Sequence, residues 1–355
     1  MPIELQPMLE HAMKAGASDI LIVSGSPIAY KINGRVVQSQ GAHLKPEDTE
    51  MLIRSIYDLN RKRDMTPLLE TGDDDFSFSV SGLGRFRCSA YKQRGSLSAV
   101  LRIVSFTLPD AASLHIPASV LNLCRCQKGL ILITGPAGSG KSTTLACMID
   151  RINHSRDGHV ITLEDPIEYL HTHDRCIVSQ REILHDTGGY EPALRAALRQ
   201  APDVILLGEM RDFETIRTVI TAAETGQLVL STLHTVGAAK TIDRIIDVFP
   251  PNQQQQIRVQ LSMVLQAVVS QQLIPTLDGR LVPAFEIMVV TPAVQTMIRE
   301  SKIYQIDNVL YAGSSLGMQS MDTDLLRLAQ DGIISRDNAL LYSANPEALA
   351  KKLPL

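Results

Sequence analysis

Hydrophobic and polar positions follow two different rhythms along the chain. Within residues 1–106 they alternate. DDDFSFSVSG (73–82), GRFRCSAYKQR (84–94) and SLSAVLRIVS (96–105) carry apolar side chains at every second position, the period of antiparallel strands with one wet face. SDILIVSG (18–25) reads as a further strand, and YKINGRVVQ (30–38) as a hairpin turning at Asn33-Gly34. Two helices are predicted beside them. Leu5 to Lys14 has helical spacing and stops at Gly16, and residues 46–63 open with Pro46 and acids and close with bases, the order the helix dipole favours. The sum is a small α+β domain.

From about residue 120 the alternation disappears. LILIT (130–134), HVITLE (159–164), VILLGE (204–209) and LVLST (228–232) are short runs apolar on both faces, and helical segments separate them. Strands buried on both sides and joined through helices make a parallel sheet, so residues 120–290 read as an α/β domain. The stretch 107–119 (TLPDAASLHIPAS) has two prolines and no firm period, and is the expected linker. Gln253 to Gln256 read as the polar first turn of one helix running through IRVQLSMVLQAVV (257–269). After 290 the strands stop. TPAVQTMIRES, IDNVLYAG, MDTDLLRLAQDG and SRDNALLYSA are helix-sized and mostly capped at their starts, so residues 291–355 form a helical C-terminal region.

Composition narrows the function classes. With 355 residues, 45% hydrophobic and 20% charged, the chain has material for two buried cores and no sign of disorder. A formal charge of −4 argues against affinity resting on a broad basic surface, and aromatics at 4% with no Trp leave little for stacking bases. A nucleic-acid motor is therefore disfavoured. No run of 18 apolar residues and no signal-peptide h-region is present. The five cysteines at 88, 124, 126, 147 and 176 lack the spacing of a zinc site and read as reduced thiols.

The chemistry concentrates at strand ends. GPAGSGKS (135–142) matches G-x-x-x-x-G-K-[ST] directly after the strand LILIT and before the helical run TTLACMIDRI. In such a loop, made here of Gly135, Pro136, Ala137, Gly138, Ser139 and Gly140, the three glycines let backbone N–H groups converge on phosphate oxygens, Lys141 supplies a point charge, and Ser142, followed by Thr143, offers a hydroxyl to Mg²⁺. ATP and Mg²⁺ are the expected ligands. VILLGEMRD places Glu209 just past a buried strand, with Gly208 where the usual acid of that motif stands, so Glu209 alone serves the metal side. HVITLEDPIEY ends another strand in Glu164, Asp165 and Glu168, and Glu164 is the first choice for the general base. LVLSTLHT carries His234 after Ser231 and Thr232, placed to sense a γ-phosphate. In the first domain Arg85 and Arg87 share one strand face, with Arg94 and Arg102 following. A solvated face is one reading of these arginines; charge compensation of a triphosphate is the other.

The ordered combination of ASDILIVSGSPIAYKINGRV, FSFSVSGLGRFRCSAYKQRG, GPAGSGKSTTLA, ITLEDPIEY, APDVILLGEMRD and AAETGQLVLSTLHT resembles the type IV pilus retraction ATPases of twitching motility, within the type II/IV secretion ATPase superfamily. The resemblance covers nearly the whole chain. It implies a PAS-like α+β N-terminal domain followed by a RecA-like P-loop NTPase domain, a homohexameric ring, and ATP-driven pilus disassembly. The motor would be cytoplasmic and peripheral at the inner face of the cytoplasmic membrane, held there through an inner-membrane platform protein, with no direct nucleic-acid contact. By the same resemblance Glu164 is the catalytic glutamate, Glu209 the metal-side acid, His234 the His-box sensor, and Arg87, Arg94 and Arg102 the nucleotide-contacting arginines. Two segments depart from the pattern. Gln227 stands where a second His-box histidine is usual, and AVQTMIRE (293–300) replaces AIRNLIRE, which keeps open an accessory ring subunit that binds ATP beside another motor. A pilus or secretion assembly ATPase is the other alternative, disfavoured by the lack of a tetracysteine insert and a longer N-terminal region.

Overall fold

The alternating segments of the first half pair edge to edge as antiparallel strands. Along the chain come α1 (Leu5–Lys14), β1 (Ala17–Ile22), β2 (Ala29–Ile32), β3 (Arg35–Gln38), α2 (Pro46–Leu59), α3 (Thr66–Thr71), β4 (Asp73–Val80), β5 (Gly84–Gln93) and β6 (Ser96–Val104). They build a six-stranded sheet in the order β3-β2-β1-β6-β5-β4. On β4 and β5 every second residue, Phe76, Phe78, Phe86 and Cys88, enters one buried cluster with Leu52, Ile53 and Ile56 of α2, while Arg85 and Arg87 face away from it. The computed structural model describes residues 5–353 except 33, 61, 62, 105–107 and 109, so Asn33 of the expected hairpin, part of the expected linker and two of the bases expected to close α2 lie outside the described residues. α2 itself stops at Leu59, short of that basic run.

The chain divides into two compact units, one of residues 1–107 with 168–170, the other of 108–167 with 171–355. The second contains α4 (Ala118–Asn122), β7 (Gly129–Thr134), α5 (Lys141–Ser155), β8 (Gly158–Glu164), β9 (Cys176–Glu182), α6 (Tyr190–Ala197), β10 (Val204–Leu207), α7 (Phe213–Glu224), β11 (Leu228–Leu233), α8 (Ala238–Asp247), α9 (Pro251–Val264), β12 (Leu265–Pro275) and β13 (Leu281–Val289). Its sheet runs β13-β12-β7-β11-β10-β8-β9, parallel throughout except for the antiparallel edge strand β13. β7 and β11 are buried at every position, as continuous apolar runs require. Alternate residues of β7 serve two cores: Leu130 and Leu132 face the cluster containing α7, α8 and α9, and Ile131 and Ile133 face the one containing α5.

One helix expectation is corrected. The run through 257–269 is not a single helix, because α9 ends at Val264 and Leu265 begins β12. From there Ala267 to Ser270 pair in parallel with Ile131 to Thr134 of β7, a central position that favours the β-branched Val268 and Val269 in extended form. The C-terminal region is α10 (Pro292–Arg299), α11 (Ile306–Ala312), α12 (Met321–Gln330), α13 (Arg336–Tyr342) and α14 (Pro346–Ala350). Thr291, Ser320 and Ser335 cap α10, α12 and α13 by accepting from the backbone N–H groups of Val294, Thr323 and Asn338.

Candidate functional site

Parallel register brings four strand ends to one edge of the second sheet. Thr134 pairs with Leu233, Ser231 with Leu207 and Leu207 with Leu163, so the residues that follow, Gly135, His234, Gly208-Glu209 and Glu164, emerge side by side at the carboxyl edge, where open α/β sheets bind ligands. Ser231 and Thr232 lock β11 to β10 there, their hydroxyls donating to the carbonyls of Leu207 and Gly208 at 2.9 and 2.6 Å.

The loop from Gly135 to Gly140 is compressed against β12. Gly135 has φ 139° and Gly140 φ 86°. A Cβ on Gly135 would stand 2.1 Å from the carbonyl oxygen of Gln271, and one on Gly140 2.9 Å from the Gln271 amide nitrogen. Gln271 is held in turn by Thr144, whose hydroxyl donates to it at 2.7 Å. The Ser139 hydroxyl is buried in the loop and has no protein hydrogen-bond partner. Behind the loop, α5 starts at Lys141, so the unpaired N–H groups of its first turn face the loop's concavity. Left-handed glycines, an orphaned hydroxyl and a helix N-terminus are the donor set that a polyphosphate fits.

Lys141, 9% exposed, donates from Nζ to the carbonyls of Gly135 and Pro136, each at 2.9 Å, and lies 3.5 Å from His234 Nδ1. His234 Nε2 is 3.2 Å from Glu209 Oε2, and Glu209 also pairs with Arg211. An ammonium only donates, so Nδ1 accepts and Nε2 carries the proton to Glu209; the neutral Nε2–H tautomer satisfies both contacts. Burial pushes the Glu209 carboxyl up, but the hydrogen bonds from Arg211 and His234 and the charge of Arg211 outweigh it and hold it below the usual carboxylate range. Glu209 therefore stands ionised at the edge. Glu164, half-buried, accepts at Oε1 from the Thr162 hydroxyl at 2.6 Å and from the Gln180 amide at 3.3 Å.

Tyr190 stands beside these carboxylates. A Cβ at Gly208 would come 2.9 Å from its hydroxyl and 3.3 Å from the Leu163 carbonyl, so a side chain at that position would have to push the Tyr190 hydroxyl aside. Burial, reinforced by the charges of Glu209, Asp165 and Glu164, keeps the phenol protonated.

A cavity of 610 Å³ adjoins the start of α5 at Gly140, Thr143 and Thr144. Gln271 and the apolar side chains of Ile116, Leu273, Leu281 and Val282 form much of its wall. An apolar pocket against a phosphate loop suits a nucleoside. Sequence reasoning missed these residues, since none belongs to a motif; the close approach of Gln271 to two loop glycines is visible only once β12 lies beside β7. Among the described residues no three His, Cys, Asp or Glu side chains form a metal cluster. A divalent ion here would rely on Ser142, whose side chain is exposed at the start of α5, on Glu209, and on phosphate and water oxygens.

The remaining expected residues lie elsewhere. Glu168 falls in the first unit, so of the three strand-end acids only Glu164 and Asp165 belong to the second. Arg87, Arg94 and Arg102 are in the first unit. Arg87 and Arg102 are cross-strand neighbours, and Arg102 Nε donates to the buried Asp19 at 2.9 Å. Burial pushes Asp19 up, but Ser18 and Arg102 together hold it below the usual range. Arg94 occupies the β5–β6 turn with φ 47°. Gln227 precedes β11 at the end opposite His234, roughly 20 Å away by strand rise, with its carbonyl accepting from Gly129 N–H and its side chain bonded by Thr225.

Comparison with known proteins adds to this geometry. A family described as "Type II/IV secretion system protein" matches residues 2–316. The "Type IV pilus retractation ATPase PilT" of Pseudomonas aeruginosa is 44% identical over 97% of this chain and 99% of its own, and the "Type IV pilus ATPase PilU" of the same organism is 38% identical over 99% and 92%. Among solved structures, that of the pilus retraction motor PilT with bound ADP superposes with a TM-score of 0.90 at 44% identity, covering 98% of this chain and 99% of that one.

Proposed function

Because the chain belongs to the pilus retraction ATPase family of type II/IV secretion system proteins, we propose a division of labour among its own residues for the family's reaction. The protein is an ATP hydrolase that drives type IV pilus retraction and twitching motility. Gly135 to Thr143 cradle the phosphates, with Lys141 released from the carbonyls of Gly135 and Pro136 onto phosphate oxygens. Ser142 and Glu209 are the residues that would hold Mg²⁺, which neutralises charge developing on the phosphates when bound. Glu164, aimed by Thr162 and Gln180, takes the proton of the attacking water. His234, placed between Lys141 and Glu209, registers the change when Lys141 moves. Arg87, Arg94 and Arg102 add positive charge to the triphosphate, and the apolar cavity behind the loop takes the nucleoside.

At the level of assembly the reading is a homohexameric ring closed head to tail, working at the cytoplasmic face of the inner membrane on a platform protein of the pilus. No helix among the described residues is long and apolar enough to cross a membrane, which supports attachment through partners. The observation that carries the reading is the run Lys141, His234, Glu209, Arg211 in continuous contact at the carboxyl edge. Glu164→Gln tests it. ATPase turnover is expected to fall at least about 100-fold while nucleotide binding persists, and an unchanged turnover would remove Glu164 from the role of base.

A further inference from the structure

The far end of α5, about 22 Å from Lys141 by helix rise, carries a second concentration of positive charge. Arg125, Arg151 and Arg156 line a cavity of 540 Å³ together with Asn122, Gln127 and Ser155, and no acidic residue lines it. The neighbouring carboxylates are already engaged: Asp157 pairs with Arg175, and Asp150 with His154. Among the described residues none of the three arginines forms an ion pair, whereas Arg175, Arg195 and Arg327 each meet a carboxylate. Arg156 is the anchor. Its Nη1 donates to the Cys126 carbonyl at 3.0 Å and lies 3.5 Å from Gln127 Oε1, while its Nε and Nη2 are buried with no partner at all.

A guanidinium edge left unpaired in a buried position is costly, and Nε with Nη2 is the fork that matches two oxygens of one oxoanion. We propose that this cavity is a phosphate-binding site, separate from the ATP site, with Arg156 as the fixed fork and the exposed Arg125 and Arg151 closing on the anion. Three cations and no acid suit a doubly charged group better than a single carboxylate. The phosphate reaches the site either free, as on a small phosphorylated metabolite, or on an anionic lipid headgroup.

Titration calorimetry with inorganic phosphate, on the full chain saturated with a non-hydrolysable ATP analogue and Mg²⁺, isolates this cavity from the phosphate loop. One saturable site is expected, weakened about tenfold by Arg125→Gln or Arg151→Gln and lost in the double variant, with melting temperatures unchanged because both side chains are exposed. Arg156→Lys keeps the charge, removes the fork and is expected to weaken binding as well. Co-sedimentation with phosphatidylglycerol vesicles, set against phosphatidylcholine vesicles, separates the sources. Retention on the anionic vesicles that the double variant loses and inorganic phosphate displaces supports the headgroup; phosphate binding without retention supports the free anion. Absence of saturable phosphate binding in the wild type, or binding that the double variant leaves intact, overturns the proposal.

Discussion

Gly135 and Gly140 would meet different obstacles to a methyl group, and the difference is measurable. At Gly140 the obstacle is the amide end of the Gln271 side chain at 2.9 Å, which can rotate away, leaving mainly the strain of a left-handed residue, about 1–2 kcal/mol. At Gly135 the obstacle is the Gln271 main-chain carbonyl at 2.1 Å, which cannot move without shifting β12. Gly135→Ala is therefore expected to lower unfolding free energy well beyond Gly140→Ala, as read by denaturant titration; equal losses would show that the loop does not bear on β12. Arg102 carries a residue-scale prediction of another kind. Its guanidinium is mostly exposed, but its partner Asp19 is only 8% exposed, so Arg102→Gln strands a buried carboxylate and is expected to cost about 1–3 kcal/mol in addition to any loss of turnover. Arg94→Gln has no such buried acid to strand among its described contacts, and it should reduce turnover with stability intact. Turnover and melting measured on both variants check the contrast.

Among the elements, β12 and β13 do most to hold the site together, and they were the least legible in the sequence. The strands ending at Thr134, Leu207 and Leu233 announce themselves as short runs without polar alternation. The run 257–269 has no such break, because α9 hands over to β12 without a turn, and only pairing with β7 reveals the change. Once in place, the cross-strand partners Ser270 and Glu286 accept from the backbone N–H groups of Gly237 and Ala238, at 2.9 and 2.8 Å, and so fix the start of α8 four residues after His234. Burial pushes the Glu286 carboxyl up, against the hydrogen bonds from Ala238 and Met321. A carboxyl raised in the folded state contributes stability that is complete below its unfolded pKa and fades as pH rises through the folded value. Glu286→Gln has no proton to lose. Its stability relative to wild type is therefore expected to improve as pH is raised from the unfolded carboxyl range toward neutrality, a trend that urea titrations at successive pH values would read; a constant difference would mean that Glu286 is not raised.

For the whole molecule, the placement of the departures matters more than their number. Gln227 sits at the amino edge of the sheet, a strand's length from the phosphate loop, so a missing histidine there leaves the contacts of His234 with Lys141 and Glu209 intact. In α10, Val294 and Ile298 enter the core while Arg299 and Glu300 are exposed and the altered Gln295 and Thr296 are half-buried. Those substitutions leave the buried Val294 and Ile298, and so the packing of α10 against the core, in place. In the proposed ring, hydrolysis depends on how copies act together. In a head-to-tail ring each copy contacts its neighbours through unlike surfaces, and a subunit that cannot change state obstructs those beside it. Lys141→Ala removes the point charge of the phosphate loop while keeping the apolar core around α5. Mixed in increasing proportion with wild type and re-assembled, it is expected to lower ATPase activity more steeply than its fraction, so that an equal mixture retains well under half. Activity falling in strict proportion to the wild-type share would mean that the sites work independently and would remove the coupled ring from the account.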